Sequence, residues 1–132
     1  MENNIQEANT QSPEINTTAD VKLVDLDLNK LIAEMKAGDA WEKTGHHALT
    51  LLKSSSMRIV LVGLHEGAEL KTHTAPGDIS VQALSGHIHF SAEEKVISLQ
   101  PLQMLALKKD TPHSVRAEKE SFFLLTIAIA EK

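Results

Sequence analysis

Two histidines, His73 and His113, lie in the segments of this chain whose residue types best fit two halves of one binding site. Each occurs where a predicted β-strand meets a Pro-containing turn, with Pro76 after the first and Pro112 before the second. Imidazole nitrogens bind divalent metals and form hydrogen bonds near neutral pH. Catalytic metal sites usually need at least three protein ligands. The pair therefore predicts where a site lies, and it leaves small-molecule binding and metal binding both open.

Several other polar side chains are candidates to complete this site. Gln82 offers an oxygen ligand on the following predicted strand, and Asp78 offers a carboxylate, although Pro-Gly-Asp is also ordinary turn sequence. His47 or His46 could add an imidazole if the preceding strand lies beside the site. Adjacent residues of a strand point to opposite faces, so at most one of these two faces it. Lys71 in the site would oppose a cation and favour an anionic group.

A second histidine pair, His87 and His89, is separated by a single residue. On a β-strand these two side chains share one face, whereas Ile88 and Phe90 share the other. The apolar residues are expected to face the core. This pair is therefore predicted to face solvent.

From residue 48 onward the chain consists of short β-type runs separated by turn residues, and no second helical pattern interrupts them. The runs cover residues 48–53, 57–64, 69–73, 79–84, 87–90, 96–99, 104–107, 113–117 and 122–130. Ser85-Gly86 gives the tightest hairpin signal, because glycine accepts the positive φ that two-residue loops require. Many short strands at this spacing predict an antiparallel sandwich or barrel.

One helix is predicted before the strands, with Asp27 as its N-cap and Gly38 at its end. Its apolar residues recur at helical spacing: Leu28, Leu31, Ile32 and Met35. Trp41 follows and is expected to be a packing residue or a dimer contact. Residues 1–20 are rich in Asn, Gln, Glu and Thr, so burial offsets little of the roughly 1–2 kcal/mol per residue that ordering costs. The predicted organisation is a disordered tail (1–20), a strand and helix on the barrel (21–45) and the barrel itself (46–132).

Composition limits the classes of function. With 132 residues, 42% of them apolar, the chain forms one domain that needs neither metal nor disulfide to fold. A net charge of -5 without a basic stripe argues against nucleic acid as a partner. The absence of cysteine excludes disulfides and thiolate chemistry, and it is compatible with a reducing compartment. Any metal site must therefore use His and carboxylate ligands.

The ends of the chain bear on its location. The first residues lack the basic start and apolar stretch of a secretion signal, so a cytoplasmic location is expected. The longest apolar run, residues 122–130, has about half the length that a helix needs to span a bilayer. It is predicted to be a buried strand, and no membrane partner is expected.

Residues 57–130 resemble the small single-domain cupins. The first cupin motif contains a glycine, His-x-His, a glutamate and a second glycine, and the second motif contains a later histidine. Gly67 and Gly86 frame the first motif here, His73 takes the second of its His positions, and His113 takes the His position of the second motif. The resemblance implies an all-β jelly-roll barrel, the double-stranded β-helix, with one N-terminal helix outside it. It also implies a homodimer.

The two metal motifs are degenerate. Lys71 stands at the first His position, and counting back from Gly86 places Ile79 at the glutamate position, because the spacing from His73 is one residue longer than in the family. Asp78 faces inward only if a bulge near the preceding glycine absorbs the extra residue. The second motif also departs from the family at four positions, occupied here by Leu102, Lys108, Asp110 and Ala117.

Two functions follow from the resemblance. The first is a non-catalytic binding or sensing cupin, with His73, His113, Lys71 and Gln82 around a small molecule, for which both an anionic and an uncharged group stay open. The second is a metal-dependent enzyme of dioxygenase or isomerase type. In that enzyme His73 and His113 would hold Zn, Fe, Mn or Ni, with Asp78, Gln82 or His47 completing the ligand set.

Overall fold

The computed structural model describes residues 22–129, and the predicted tail lies outside them. The described chain begins with helix α1 (Leu28–Ala37) and a 3₁₀ turn (Asp39–Glu42). Seven strands follow in this part of the chain: β1 (His46–Lys53), β2 (Met57–Leu64), β3 (Glu69–His73), β4 (Ile79–Ala92), β5 (Lys95–Leu99), β6 (Met104–Leu107) and β7 (His113–Ala128). The predicted all-β class with one N-terminal helix is confirmed.

Helix α1 begins and ends where the sequence predicts. The Asp27 carboxylate accepts a hydrogen bond from the Lys30 amide at 3.2 Å, which caps the first turn. The apolar face of the helix packs on the outside of the sheet against Trp41, Leu61 and Phe122. The strand predicted before the helix, at residues 21–26, is not formed in residues 22–26, the part of it that the structure describes.

The strands form an antiparallel sheet in which β4 and β7 are long enough to belong to two halves. In one half, β1 pairs with β2, and β2 pairs with residues 121–128 of β7. Residues 79–83 of β4 pair with the same part of β7, and β6 pairs with the other edge of β4 there. Strands β3 and β5 pair with the other ends of β7 and β4. One apolar cluster joins both halves, so the halves face each other across a shared interior. This arrangement is a jelly-roll barrel.

Side chains alternate between the barrel interior and its outer surface. Val81, Phe90, Val115 and Phe123 are among the buried residues of the interior. The residues that alternate with these along the strands point to the outer surface. They are mostly polar, except where apolar residues pack under helix α1. This alternation decides which histidines can enter the barrel.

The predicted hairpin at Ser85-Gly86 is wrong, because β4 runs through these residues without a turn. Gly86 does have a positive φ of 84°, as a tight turn would require. That conformation serves a register shift between β4 and β7, where a Cβ on Gly86 would lie 2.2 Å from Ser121 Oγ. Glycine here allows two strands to approach closely.

Candidate functional site

His73 and His113 lie directly opposite each other on the paired strands β3 and β7. Their ring centroids are 4.4 Å apart, and the ring planes meet at 61°. The structure therefore brings together the two histidines that the sequence selected. His113 is buried, and His73 is partly buried.

A bulge in β3 turns His73 into the barrel. Leu70 pairs with Val115 and His73 pairs with His113, so β3 has one more residue than β7 between these two pairs. An extra residue reverses the alternation of a strand, and it places His73 on the same inner side as buried Leu70. Lys71, within the bulge, is exposed.

Both rings are oriented by hydrogen bonds from Nδ1 to backbone carbonyls. His73 Nδ1 lies 2.6 Å from the carbonyl oxygen of Lys71, and His113 Nδ1 lies 2.8 Å from that of Thr111. A carbonyl oxygen only accepts, so each Nδ1 carries the hydrogen and donates it. The Nε2 atom of each neutral ring then has a free lone pair. His73 Nε2 is buried without a hydrogen-bond partner among residues 22–129.

The histidine pair opens on a cavity of about 10 Å³, which is close to the smallest volume that holds one water. The cavity is lined by His73, Thr74, Ala75, Pro76, Ile79, His113, Leu125 and Ile127. Apart from the two imidazoles and the Thr74 hydroxyl, its lining side chains are apolar. The cavity therefore admits a single small polar group next to the rings.

Burial keeps both imidazoles neutral. Desolvation lowers the pKa of His73 and of His113 from the ordinary value of 6.5, and the hydrogen bonds to Lys71 and Thr111 only partly oppose this shift. The neighbouring His113 lowers the pKa of His73 further. Near neutral pH the site offers nitrogen lone pairs and carries no positive charge.

Two hydrogen bonds join the turns that carry the histidines. The Lys109 amide donates to Asp78 Oδ1 at 2.9 Å, and the Asp110 amide donates to the Ala75 carbonyl at 3.0 Å. Asp78 is exposed, because its side chain points out of the barrel toward this turn. No bulge turns it inward, and Asp78 does not line the cavity beside the two histidines. Its carboxylate holds the two turns together.

The structure does not bring the other candidate ligands to the pair. Gln82 lies on β4 between buried Val81 and Ala83, so its side chain points to the outer surface. The ring of His47 lies 5.2 Å from that of Trp41, also outside the barrel, and its Nε2 is 3.1 Å from Thr44 Oγ1. Exposed Lys71 places no charge in the cavity. None of Gln82, His47 and Lys71 lines the cavity beside the histidine pair.

The metal that the cupin motifs imply fits these residues only in part. The two imidazoles have the lone pairs and the orientation that a metal requires. The remaining motif positions hold an exposed lysine, Lys71, and a buried aliphatic residue, Ile79, which itself lines the cavity. Two protein ligands are therefore available here among the described residues.

A second polar cluster lies on the outer face of the sheet. His89 Nε2 is 2.6 Å from Glu118 Oε1, and His87 Nδ1 is 3.9 Å from the same oxygen. One ligand atom from each residue lies within 4.8 Å of the others, so this group could hold a metal ion. The predicted outward direction of the two histidines is confirmed. Sequence reasoning missed Glu118, because 29 residues separate it from His89 and only strand pairing brings them together.

Comparison with known proteins identifies the fold. A conserved protein of unknown function from Streptococcus pyogenes is similar with a TM-score of 0.68 and 20% identity, over 89% of this chain and 98% of that one. An RmlC-like cupin from Desulfovibrio desulfuricans has a TM-score of 0.59 and 22% identity, over 86% and 96%. A cupin superfamily protein from Desulfitobacterium hafniense has a TM-score of 0.62 and 19% identity, over 64% and 78%. The chain has the cupin fold.

No protein-family model and no curated protein matches the sequence. The predicted resemblance to small cupins is confirmed at the level of fold. Within residues 22–129, no helix is long and apolar enough to cross a membrane.

Proposed function

We propose that this cupin-type protein is a binding protein that takes the polar end of a small molecule between His73 and His113. One observation carries the proposal: His73, whose Nε2 is buried without a hydrogen-bond partner among the described residues, lines a small cavity together with a second neutral imidazole. A buried polar atom without a partner costs free energy, which a bound hydrogen-bond donor would recover.

The chemistry of the cavity favours a ligand that donates hydrogen bonds. Two neutral rings with hydrogen on Nδ1 present acceptors at Nε2, which suits a hydroxyl or amine group. An anionic group finds no cation in the cavity, since Lys71 is exposed. The ligand class proposed here is therefore a small alcohol or amine, whose single hydroxyl or amine group enters the cavity while the rest of the molecule stays outside it.

Catalysis of the usual cupin type is not favoured by these residues. Such an enzyme holds its metal with three histidines and a glutamate, and two of those positions are Lys71 and Ile79 here. Ile79 is buried and aliphatic, so the glutamate position of the motif offers no ligand atom here. A cytoplasmic setting, with which the absence of cysteine is compatible, is part of the same proposal.

An NMR titration with ethylene glycol and ethanolamine tests this function. Either probe should shift the ring signals of His73 and His113 in a saturable way. His113→Phe keeps an aromatic ring on Phe90, with which His113 stacks at 5.2 Å, but it removes both nitrogens and should abolish the shifts. His47→Phe, a matched change outside the barrel, should leave them intact. The absence of saturable shifts in the parent, or their persistence in His113→Phe, contradicts the proposal.

A second candidate function is metal-dependent catalysis with a reduced ligand set. It is supported by the two Nδ1 hydrogen bonds to carbonyls, because histidines that bind metals are commonly oriented in this way. His73 and His113 would hold the ion through Nε2. A divalent ion there would supply Lewis acidity to a bound substrate oxygen.

Metal content of protein purified without chelator tests this second function. Stoichiometric metal that is lost in both His73→Ala and His113→Ala, with cooperative unfolding retained, supports it. Metal that remains in either variant argues that the ion is held elsewhere. If the purified protein contains no metal and takes up none from Zn²⁺, Ni²⁺ or Mn²⁺ solutions, the second function is rejected and only the first remains.

A further inference from the structure

The outer face of the barrel has a polar cluster of His87, His89 and Glu118 that the proposed function does not use. Ile88 and Phe90 enter the interior, so the two histidines lie on the opposite side of β4. The cavity beside His113 lies inside the barrel. The two groups are therefore separated by the sheet itself.

Local irregularities in the strands bring the cluster together. His87 pairs with Lys119 and Ile88 pairs with Ala117, which leaves Glu118 as an extra residue in β7. A bulge of this kind redirects a side chain, and here the carboxylate lies beside both imidazoles. The Ser121 hydroxyl accepts a hydrogen bond from the His87 amide at 2.9 Å, which fixes the backbone at this point.

The side chains have the features of a metal-ligating group. The His87 and His89 rings are 4.8 Å apart, and both side chains are about four-fifths buried although Glu118 is exposed. His89 Nδ1 is 2.9 Å from the Ser98 hydroxyl, an outer partner that orients the ring. His87 Nε2 is buried and has no hydrogen-bond partner in the described part of the chain. The polar capacity of the cluster is thus incompletely used by the protein.

We propose that His87, His89 and Glu118 form a binding site for Zn²⁺ or a chemically similar divalent cation on the outer surface of the barrel. Two imidazoles and one carboxylate are a ligand set typical of zinc sites that keep a position open for water or another ligand. The Glu118 carboxylate replaces its present contact with His89 by a bond to the metal. Arg116, which also acts on this carboxylate, is the neighbouring positive charge that the ion must overcome. This site is independent of the cavity between His73 and His113.

Zinc titration of the full chain, followed by calorimetry and by NMR of the histidine rings, tests the inference. Zn²⁺ should shift the ring signals of His87 and His89. His87→Ala and Glu118→Gln should each weaken zinc binding by at least about tenfold, since loss even of a residue that only supports a ligand costs that much. Glu94→Gln, a matched carboxylate change on the nearby β4–β5 turn, should leave this affinity unchanged.

Three results would overturn the site: no zinc binding by the parent, unchanged affinity in either cluster variant, or zinc-dependent shifts confined to His73 and His113. A single cooperative melting transition in each variant shows that it is folded. If His87→Ala does not fold, His89→Gln replaces it, because glutamine keeps a hydrogen-bonding group next to Ser98. The same loss of affinity is required of that variant.

Discussion

At the scale of single residues, ligand binding depends on which nitrogen of each imidazole carries the hydrogen. The carbonyls of Lys71 and Thr111 each bind an Nδ1 atom, so each Nε2 keeps its lone pair, and both rings line the cavity. The sequence places His73 and His113 correctly at the ends of two strands. It cannot give the ring orientation, because that depends on carbonyl positions set by the turn and the bulge.

Stability should rise with pH in the mildly acidic range because of these two histidines. Their pKa values are lowered in the folded protein, so below 6.5 the unfolded chain binds more protons and the free energy of unfolding decreases. Above 6.5 this contribution is complete and the dependence should level off. Urea unfolding at a series of pH values measures it. His73→Gln combined with His113→Gln should flatten the slope, and an unchanged slope in this double variant would refute the assignment.

At the scale of elements, the site is made by the loop after β3 and the turn before β7. Asp78 accepts from the Lys109 amide, and the Asp110 amide donates to Ala75, so each segment holds the other in place. Gly77 lets the loop approach β7, because a Cβ there would lie 1.5 Å from the Ala128 carbonyl oxygen. The loop is therefore fixed at both ends around the cavity.

Gly77→Ala should force the loop away from β7 and open the cavity. Overpacking of a tight contact costs about 1–3 kcal/mol, and we expect a loss of unfolding free energy in that range. Gly45→Ala is the control, since its added Cβ would lie 3.5 Å from Ala68, an ordinary contact. Chemical denaturation compares the two. Equal stability of both variants would show that the loop does not depend on this contact.

The elements also show where sequence patterns are sufficient and where they fail. The apolar spacing in residues 28–37 and the turn residues between most strands predict the helix and the strand positions well. Gly86 and the charged pair Lys119-Glu120 look like turns, yet they lie inside β4 and β7. Glycine and charged residues occur at bulges as well as at turns, and only pairing with a distant strand distinguishes the two. Glu118 was missed as part of a site for the same reason.

At the scale of the whole molecule, the cupin fold leaves apolar side chains uncovered on two neighbouring elements. Val96 on β5 and Met104 on β6 are 64% and 56% exposed, and Leu102 between them is 81% exposed. Strands β5 and β6 each pair with β4 alone in the described chain, so each has a free edge. Exposed edges and apolar surface favour association with a second copy, and the predicted homodimer stays a prediction.

Light scattering after size exclusion tests the dimer. The parent should have the mass of two chains, and Met104→Lys combined with Val96→Lys should shift it to the mass of one without loss of cooperative melting. Lys95→Ala, on the same edge strand, is a control that should remain dimeric. A parent with the mass of a single chain would contradict the prediction.

The most direct test of the central claim is ring-nitrogen NMR of ¹⁵N-histidine-labelled protein at neutral pH. We expect His73 and His113 to be neutral, with the hydrogen on Nδ1 and a free lone pair on Nε2. Their signals should also titrate below the ordinary histidine pKa of 6.5. Hydrogen on Nε2 of both rings, or titration like that of a solvent-exposed histidine, would contradict a site built from two inward-facing lone pairs.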